Sequence, residues 1–244
     1  MQFTAIQWNI GSARIRSEGA DGAQSSSYNQ VNPEYIAETI KALAPDVVTL
    51  QEVAPHQGTF LAERIKLTLH AEDHYTSQLG LTIMSRFPAT DHEFFYIANP
   101  IPSPAMVDGK PWTPRDLGIS RCRLTLSENT ALDVCNVHLP RFEKVGASLP
   151  DSRLDQTRVE IAKHLMPRDV PLLVQGDFNN NAELAPTFPV LMNAGCSEVH
   201  FDVPTTPKGR RDDHVIYKQV THLTSRVIDT LLTDHHLLVL TFEI

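Results

Sequence analysis

The chain has only three cysteines, Cys122, Cys135 and Cys196, and no two of them show CxxC spacing. An odd count rules out a framework in which every thiol is paired, and fits a reducing compartment with the cysteines buried as small apolar residues. No run reaches the roughly 18 apolar residues needed to cross a bilayer as a helix. The opening MQFTAIQWNI has no basic segment leading into an apolar one, as a secretion signal would. The expectation is a soluble, cytoplasmic protein. Positive charge is also short: 21 Lys and Arg against 29 Asp and Glu give a formal net charge of −8. That balance counts against a dedicated duplex-DNA binder, whose affinity comes from neutralising phosphates. It leaves room for a local basic cleft or for metal ions that bring their own charge. HExxH, GxSxG and GxxxxGK[ST] are all missing, which argues against a zincin, an elbow-type serine hydrolase and a P-loop enzyme. With no repeat, low-complexity tract or linker, residues 1–244 are expected to form a single domain.

Apolar residues make up 41% of the chain and charged residues 20%, which is ordinary globular usage and enough for a sizeable core. FTAIQWNI alternates as a strand does, and GSARIRSEGADGAQSSSYNQV after it has no periodicity and predicts a long loop. In NPEYIAETIKALAPD, Asn32 is placed to cap a helix, Pro33 suits its first turn, and Ile36, Ile40 and Leu43 share a face. DVVTLQE then predicts a buried strand ending at Glu52. Further on, a helix is expected near 57–67, strands in LGLTIMS and EFFYI, and a Pro-rich loop around 99–114. LGISRCRLTL and ALDVCNVHL predict a hairpin. A helix from Asp151, the strand VPLLVQG, a short helix at 186–194, a strand at DHVIYK and two strands in RVIDTLLTDHHLLVLTFEI complete the pattern. This mixture of hairpins and βα units suggests two sheets with helices outside, among other α+β arrangements.

Several apolar strands end in polar residues of a restricted kind. VVTLQE ends in Glu52, LDVCNVHL carries Asn136 and His138, LLVQGDFN carries Asp177 and Asn179, and LLTDHH carries Asp234, His235 and His236. Each alone reads as a solvated strand end, a cap or a turn. Together, hard carboxylate oxygens suit Mg²⁺ or Mn²⁺, Asn offers a neutral donor to a phosphate oxygen, and His moves protons near neutral pH. Without a Ser or Cys nucleophile motif, such a set points to water attacking a phosphate ester with a metal as Lewis acid.

Read in order, QWNI, TLQE, LTIMSRFP, NVHL, VQGDFNN, DDHVIY and TDHHLLVL resemble the endonuclease/exonuclease/phosphatase (DNase-I-like) superfamily, from Trp8 to Val239. The resemblance implies an α/β (α+β) fold: a four-layer α/β sandwich, with two mixed β-sheets packed face to face and helices outside. It also implies a divalent-metal-dependent phosphoesterase using Mg²⁺ or Mn²⁺, first of all a phosphodiesterase or nuclease. By the same resemblance Asn9 and Glu52 would serve metal and substrate, with Glu52 the metal-binding Glu, and His138 would contact the scissile phosphate. Asp177 would orient water or hold metal, and Asn179 would stabilise the phosphoryl oxygens. His235 would be general base or phosphate ligand, with Asp234 near the metal and Asp213 orienting His235.

Asp213 is preferred over the adjacent Asp212 because DHVIY best fits the family's Asp-aromatic-apolar strand, and at most one of His235 and His236 can face the site. Thr233 stands where the family commonly has Ser before the Asp-His pair. Arg115 and the pair Arg210 and Arg211 are candidate phosphate contacts, as are Arg14 and Arg16 just after Asn9; surface charge is the plain alternative for each. The expected partner is a phosphodiester substrate, either nucleic acid or a small phosphoester, with no membrane span and no obligate protein partner. The acidic balance keeps a lipid-headgroup or other small-molecule phosphoesterase as the alternative. A non-catalytic binding module on the same fold is the remote one.

Overall fold

The computed structural model describes residues 1–18, 24–101, 106–107, 110–111, 117–230 and 233–244. In chain order the first half contains β1 (Gln2–Asn9), β2 (Arg14–Glu18), β3 (Gln24–Val31), α1 (Pro33–Lys41), β4 (Val47–Val53), α2 (Gln57–Ile65), β5 (Thr68–His74), β6 (Gly80–Ser85), β7 (Ala89–Ile97), β8 (Met106–Val107) and β9 (Lys110–Pro111). The second half contains β10 (Leu117–Ser127), β11 (Thr130–His138), α3 (Asp155–Leu165), β12 (Leu172–Asp177), α4 (Pro189–Asn193), β13 (Ser197–Glu198), β14 (Asp213–Lys218), β15 (Thr221–Ile228) and β16 (Leu237–Glu243).

Twelve of these strands form two six-stranded mixed sheets, ordered β15-β16-β1-β4-β6-β5 and β13-β14-β12-β11-β10-β7. Each sheet has one parallel pair, β1 with β4 and β11 with β12, flanked by antiparallel neighbours. Parallel pairing needs a crossover, and α1 and α3 lie in these two connections. Asn32 caps α1 as expected, its Oδ1 accepting from the Tyr35 N–H at 3.0 Å.

Strand alternation divides the apolar residues into three layers. Phe3, Ala5, Val47, Leu132, Val134, Leu173, Val215 and Leu240 meet between the sheets. Ile6, Trp8, Val48 and Leu50 pack outward against Ile36, Ile40, Leu61 and Ile65 of α1 and α2. Ile119, Cys135, Val137 and Val174 pack outward against Ile161, Leu165 and Leu191 of α3 and α4. This is the four-layer α/β sandwich that the resemblance implied. All three cysteines are buried and free. Among the described residues no helix is long and apolar enough to cross a membrane.

Two expectations need correction. Part of the predicted 11–32 loop is a hairpin, β2 with β3, interrupted by two register shifts; it stands outside both large sheets, so no apolar alternation marks it. Strand β5 was not expected at all. It is a sheet edge whose only buried residue is Ala71, so its sequence lacks the apolar signal of a strand. The Pro-rich 99–114 loop lies partly outside the described residues.

The parallel pair β11–β12 depends on Gly176, since a Cβ there would sit 2.0 Å from the Val137 carbonyl oxygen. Beneath α3, Asp133 accepts from Arg121 Nη2 at 2.5 Å and from Arg123 Nε at 2.8 Å, while Arg121 Nη1 reaches the carbonyls of His164 and Met166. Burial pushes the Asp133 carboxyl up, but its bonds to Arg123 and Arg121 prevail and hold it below the usual carboxylate range. Asp133→Ala should cost about 3–5 kcal/mol in urea unfolding, because it strands a buried guanidinium. A depressed carboxylate stabilises above its unfolded value, roughly pH 4. This part of the stability should therefore fade as pH drops further, and the variant should lose that acid sensitivity.

Candidate active site

Toward one edge of the sandwich, the residues between the sheets change from apolar to polar. Along β1 the inward positions run Phe3, Ala5, Gln7, Asn9; along β12 they run Leu173, Gln175, Asp177. All four polar residues that follow the apolar ones on β1 and β12 are buried, as are Asn136, His138 and Asp213. Register then assembles the site, with His138 paired to Asp177 across β11–β12 and Asp177 paired to Asp213 across β12–β14.

Asp177 is the hub. Its Oδ2 accepts from Asn9 Nδ2 at 2.9 Å and lies 3.4 Å from His138 Nε2 and 3.7 Å from His235 Nε2. Its Oδ1 accepts from the Asn179 backbone N–H at 2.8 Å. Each imidazole is fixed from behind: His235 Nδ1 pairs with Asp213 Oδ2 at 2.8 Å, and His138 Nδ1 meets the Tyr75 hydroxyl at 3.0 Å. Such back bonds set the tautomer and leave Nε2 facing the cleft. Gln7 Nε2 donates to Asp213 Oδ1 at 2.9 Å and to Gln51 Oε1 at 2.7 Å, and Gln51 Nε2 donates to Asn136 Oδ1 at 2.6 Å.

Backbone geometry aims two further groups. In regular alternation Glu52 would share the outward face of Leu50, but a register shift between Leu50 and Val53 and a left-handed φ of 53° at Glu52 turn its carboxylate into the cleft. Asn179 also has a left-handed φ, 48°, and its Nδ2 donates to the Leu139 carbonyl at 2.9 Å, which leaves a second N–H to offer. The GDFNNN segment is thus a turn, and one that holds Asp177 and Asn179 at the cleft wall.

The cleft has a volume of about 330 Å³ and is lined by Glu52, Asp177, Asp234, His138, His235 and Asn179, together with Tyr75, Leu79, Arg141 and Lys144. Burial raises the Asp177 carboxyl to about 6, against the pull of His235 and His138. Burial lowers His235, but the Asp213 and Asp177 carboxylates outweigh it and hold the ring well above its ordinary value. Burial, with the Glu52 charge adding to it, also raises Asp234.

A divalent cation fits this donor set. Glu52 and Asp234 are hard oxygen donors in one cleft, and the Glu52 charge adds to burial in raising Asp234, a repulsion that a bound cation would relieve. Asp177, Asp213 and His235 also bring ligand atoms within 4.8 Å of one another. There, however, Asp213 and His235 Nδ1 already satisfy each other. Asn9 suits a donor role better than a metal ligand: its Oδ1 accepts the Gly11 N–H at 3.1 Å, so Nδ2 faces Glu52 and Asp177.

Of the expected site residues, Asn9, Glu52, His138, Asp177, Asn179, Asp213, Asp234 and His235 converge. Arg211 does not: it lines a separate small cavity with Asn181 and His214, where its backbone N–H donates to Asn181 Oδ1. Arg210 is held by Asp212 and Glu143, which also removes Asp212 from contention. His236 turns away toward Asp229, and Arg16 stacks on Tyr28. Arg115 lies outside the described residues. The expectations missed Gln7, Tyr75, Leu79, Arg141 and Lys144. Only the two cations, three and six residues after His138, left a trace in the sequence.

The Endonuclease/Exonuclease/phosphatase family profile matches residues 6–235. The chain belongs to this family. No curated protein sequence matches it. Among solved structures, an endonuclease/exonuclease/phosphatase from Beutenbergia cavernae superposes with a TM-score of 0.71 at 18% identity, covering 100% of this chain and 72% of that one. D. rerio TDP2, complexed with a single-strand DNA product, gives 0.67 at 18% identity over 100% and 99% of the two chains. A mannosyl-6-phosphatase from Bacteroides thetaiotaomicron gives 0.62 at 14% identity over 99% and 100%. At these identities the likeness is one of fold.

Asp177 is a carboxylate whose ionisation burial opposes. A group raised in the folded state stabilises at low pH and costs stability once it ionises. In the presence of chelator, Asp177→Asn should therefore raise Tm at pH 8, with the gain shrinking toward pH 4. An equal or lower Tm at pH 8 would contradict the burial cost.

Proposed function

We propose that residues 1–244 form one domain that hydrolyses phosphodiesters, with Mg²⁺ or Mn²⁺, in the cleft at Asp177. The observation that carries this is the pair of imidazoles facing one buried carboxylate, each fixed from behind, beside the acids Glu52 and Asp234. In this proposal His235, once its raised ring has lost the Nε2 proton at alkaline pH, takes the proton of the attacking water at Nε2, while Asp213 holds Nδ1–H and stabilises the resulting cation. His138 Nε2–H and Asn179 Nδ2–H donate to the phosphoryl oxygens as charge builds, while Asn9 Nδ2 holds the Asp177 and Glu52 carboxylates at the cleft. Asp177 orients the water. A divalent cation held by Glu52 and Asp234 supplies Lewis-acid stabilisation of that charge when bound.

A diester is favoured over a monoester by the shape around Glu52. A second groove of about 420 Å³ shares Glu52 and Leu79 with the first and carries Ser12, Arg14, Ser77 and Gln78. An ester arm on each side of Glu52 has room, one toward Arg141 and Lys144 and the other toward Arg14. The fold likeness to a DNA-bound TDP2 and to a sugar phosphatase supports a phosphoester substrate. The net charge of −8 favours, as a second reading, a small-molecule or lipid-headgroup diester over a long polyanion. No residue matched to the family's motifs is lost, which speaks against a non-catalytic module.

Glu52→Ala and His235→Ala should each lower turnover of bis-p-nitrophenyl phosphate by roughly 10²–10⁴-fold with an unchanged circular dichroism spectrum, and chelator should abolish activity until Mg²⁺ or Mn²⁺ is restored. Full activity in either variant would sink the assignment. Arg14→Ala should raise KM about fivefold for a dinucleotide, the loss of one exposed charged contact, and leave bis-p-nitrophenyl phosphate unaffected. A screen across DNA, RNA, sphingomyelin and inositol phosphates separates the two substrate readings.

A further inference from the structure

His214 follows Asp213 on β14, where the family pattern has an aromatic residue, and it is 6% exposed. Both ring nitrogens face acceptors. Nε2 lies 2.7 Å from the Asn180 carbonyl oxygen, which can only accept, so Nε2 carries a proton. Nδ1 lies 2.8 Å from Glu198 Oε1. The other carboxylate oxygen, Oε2, accepts from the Leu184 and Ala185 N–H groups at 2.9 and 3.2 Å. The two backbone donors on Oε2 suit an ionised Glu198, whose Oε1 can only accept, so Nδ1 carries a proton as well. The ring also meets Phe178 edge-on, with centroids 5.6 Å apart.

We infer that His214 is a permanent imidazolium that clamps the turn Phe178–Asn180 to Glu198 and thereby positions Asp177 and Asn179. It would be a positioning residue, since it lines a separate cavity of about 70 Å³ and does not line the main cleft. The charged and titratable groups around that cavity are Glu183, Glu198, His200, Arg211 and Asp213. Burial lowers the ring's pKa, but the Glu198 bond and charge outweigh it, leaving a net rise. The clamp closes a path from β14 through Asn180 to the turn, and the Phe178 N–H bond to the Asp212 carbonyl at 2.8 Å runs beside it. Turn and strand are therefore joined on both sides of Asn179, just after Asp177.

The test is ¹⁵N NMR of the full chain labelled at histidine, with the His214 signals assigned by their loss in His214→Phe. Both His214 nitrogens should stay in the protonated range from pH 6 to 8.5, and Glu198→Gln should return one to the unprotonated range at pH 7.5. An unprotonated His214 nitrogen in the wild type at pH 7.5 would overturn the inference. The kinetic arm rests on the phosphodiesterase proposal. His214→Phe should lower kcat roughly tenfold, as a displaced group does, with KM within twofold. His214→Gln, which keeps a donor for the Asn180 carbonyl, should recover most of that loss. Unchanged kcat in His214→Phe removes the positioning role, whereas a wild type inactive on every phosphoester removes the functional proposal and leaves the NMR result to stand.

Discussion

Two sheets packed face to face must bury the residues between them, yet the edge of this interface carries carboxylates, amides and imidazoles. Buried polar groups are tolerated only when hydrogen-bonded. The chain answers part of that constraint with a ladder across the interface: Asn136 to Gln51, Gln51 to Gln7, Gln7 to Asp213 and Asp213 to His235. Among the described residues, Gln7 Oε1 and both side-chain amide atoms of Gln175 have no protein partner. Gln7 and Gln51 belong to one sheet, Asn136 and Asp213 to the other. The ladder therefore fixes how the sheets face each other and, through the same bonds, where His235 points. Asn136 adds bonds from Nδ2 to the carbonyls of Leu50 and Thr82, tying it to the backbone of the opposite sheet as well. The ladder and the site cannot move independently.

The inward row on β12 also explains why the site carries a cost. Asp177 sits on the same face as Leu173 and Gln175, where each step toward the edge trades apolar contact for polar demand. A carboxyl raised to about 6 by burial is the residue of that trade, as expected where stability is given up for chemistry. Asn9, His138 and the Asn179 backbone offset part of the cost, which is why these residues crowd one oxygen pair instead of spreading around the cleft.

How much of this was legible varied with the kind of signal. The sheets' buried strands, the capped helix α1 and the β10–β11 hairpin follow from alternation, capping and spacing, all local properties. Motif residues at strand ends were also readable, because Glu52, His138, Asp177 and His235 sit where an apolar run stops. What failed was non-local or lacked an apolar pattern. Strand β5 is an edge with a single buried side chain, and the β2–β3 hairpin pairs outside the sandwich. Arg211 looked like a phosphate contact because a guanidinium fork suits phosphate, but its place beside Asn181 and His214 puts it at a separate cavity. Gln7 looked like an ordinary alternating strand residue, and only the facing sheet gives it a partner.

The two sheets share one pairing pattern: two antiparallel contacts, a parallel pair, then two more antiparallel contacts. The carboxyl ends of the two parallel pairs, β1–β4 and β11–β12, deliver Asn9 with Glu52 and His138 with Asp177. Equivalent positions in the two halves therefore meet at the cleft, one pair supplying an amide and an acid, the other an imidazole and an acid. No sequence repeat accompanies this, because strand pairing constrains hydrogen bonding and alternation, not side-chain identity. Loops are freer still. Arg141 and Lys144 follow β11, Tyr75 and Leu79 lie between β5 and β6, and Arg14 opens β2. None of them belongs to the buried ladder, so substitution there can alter what the cleft admits without disturbing how His235 is held.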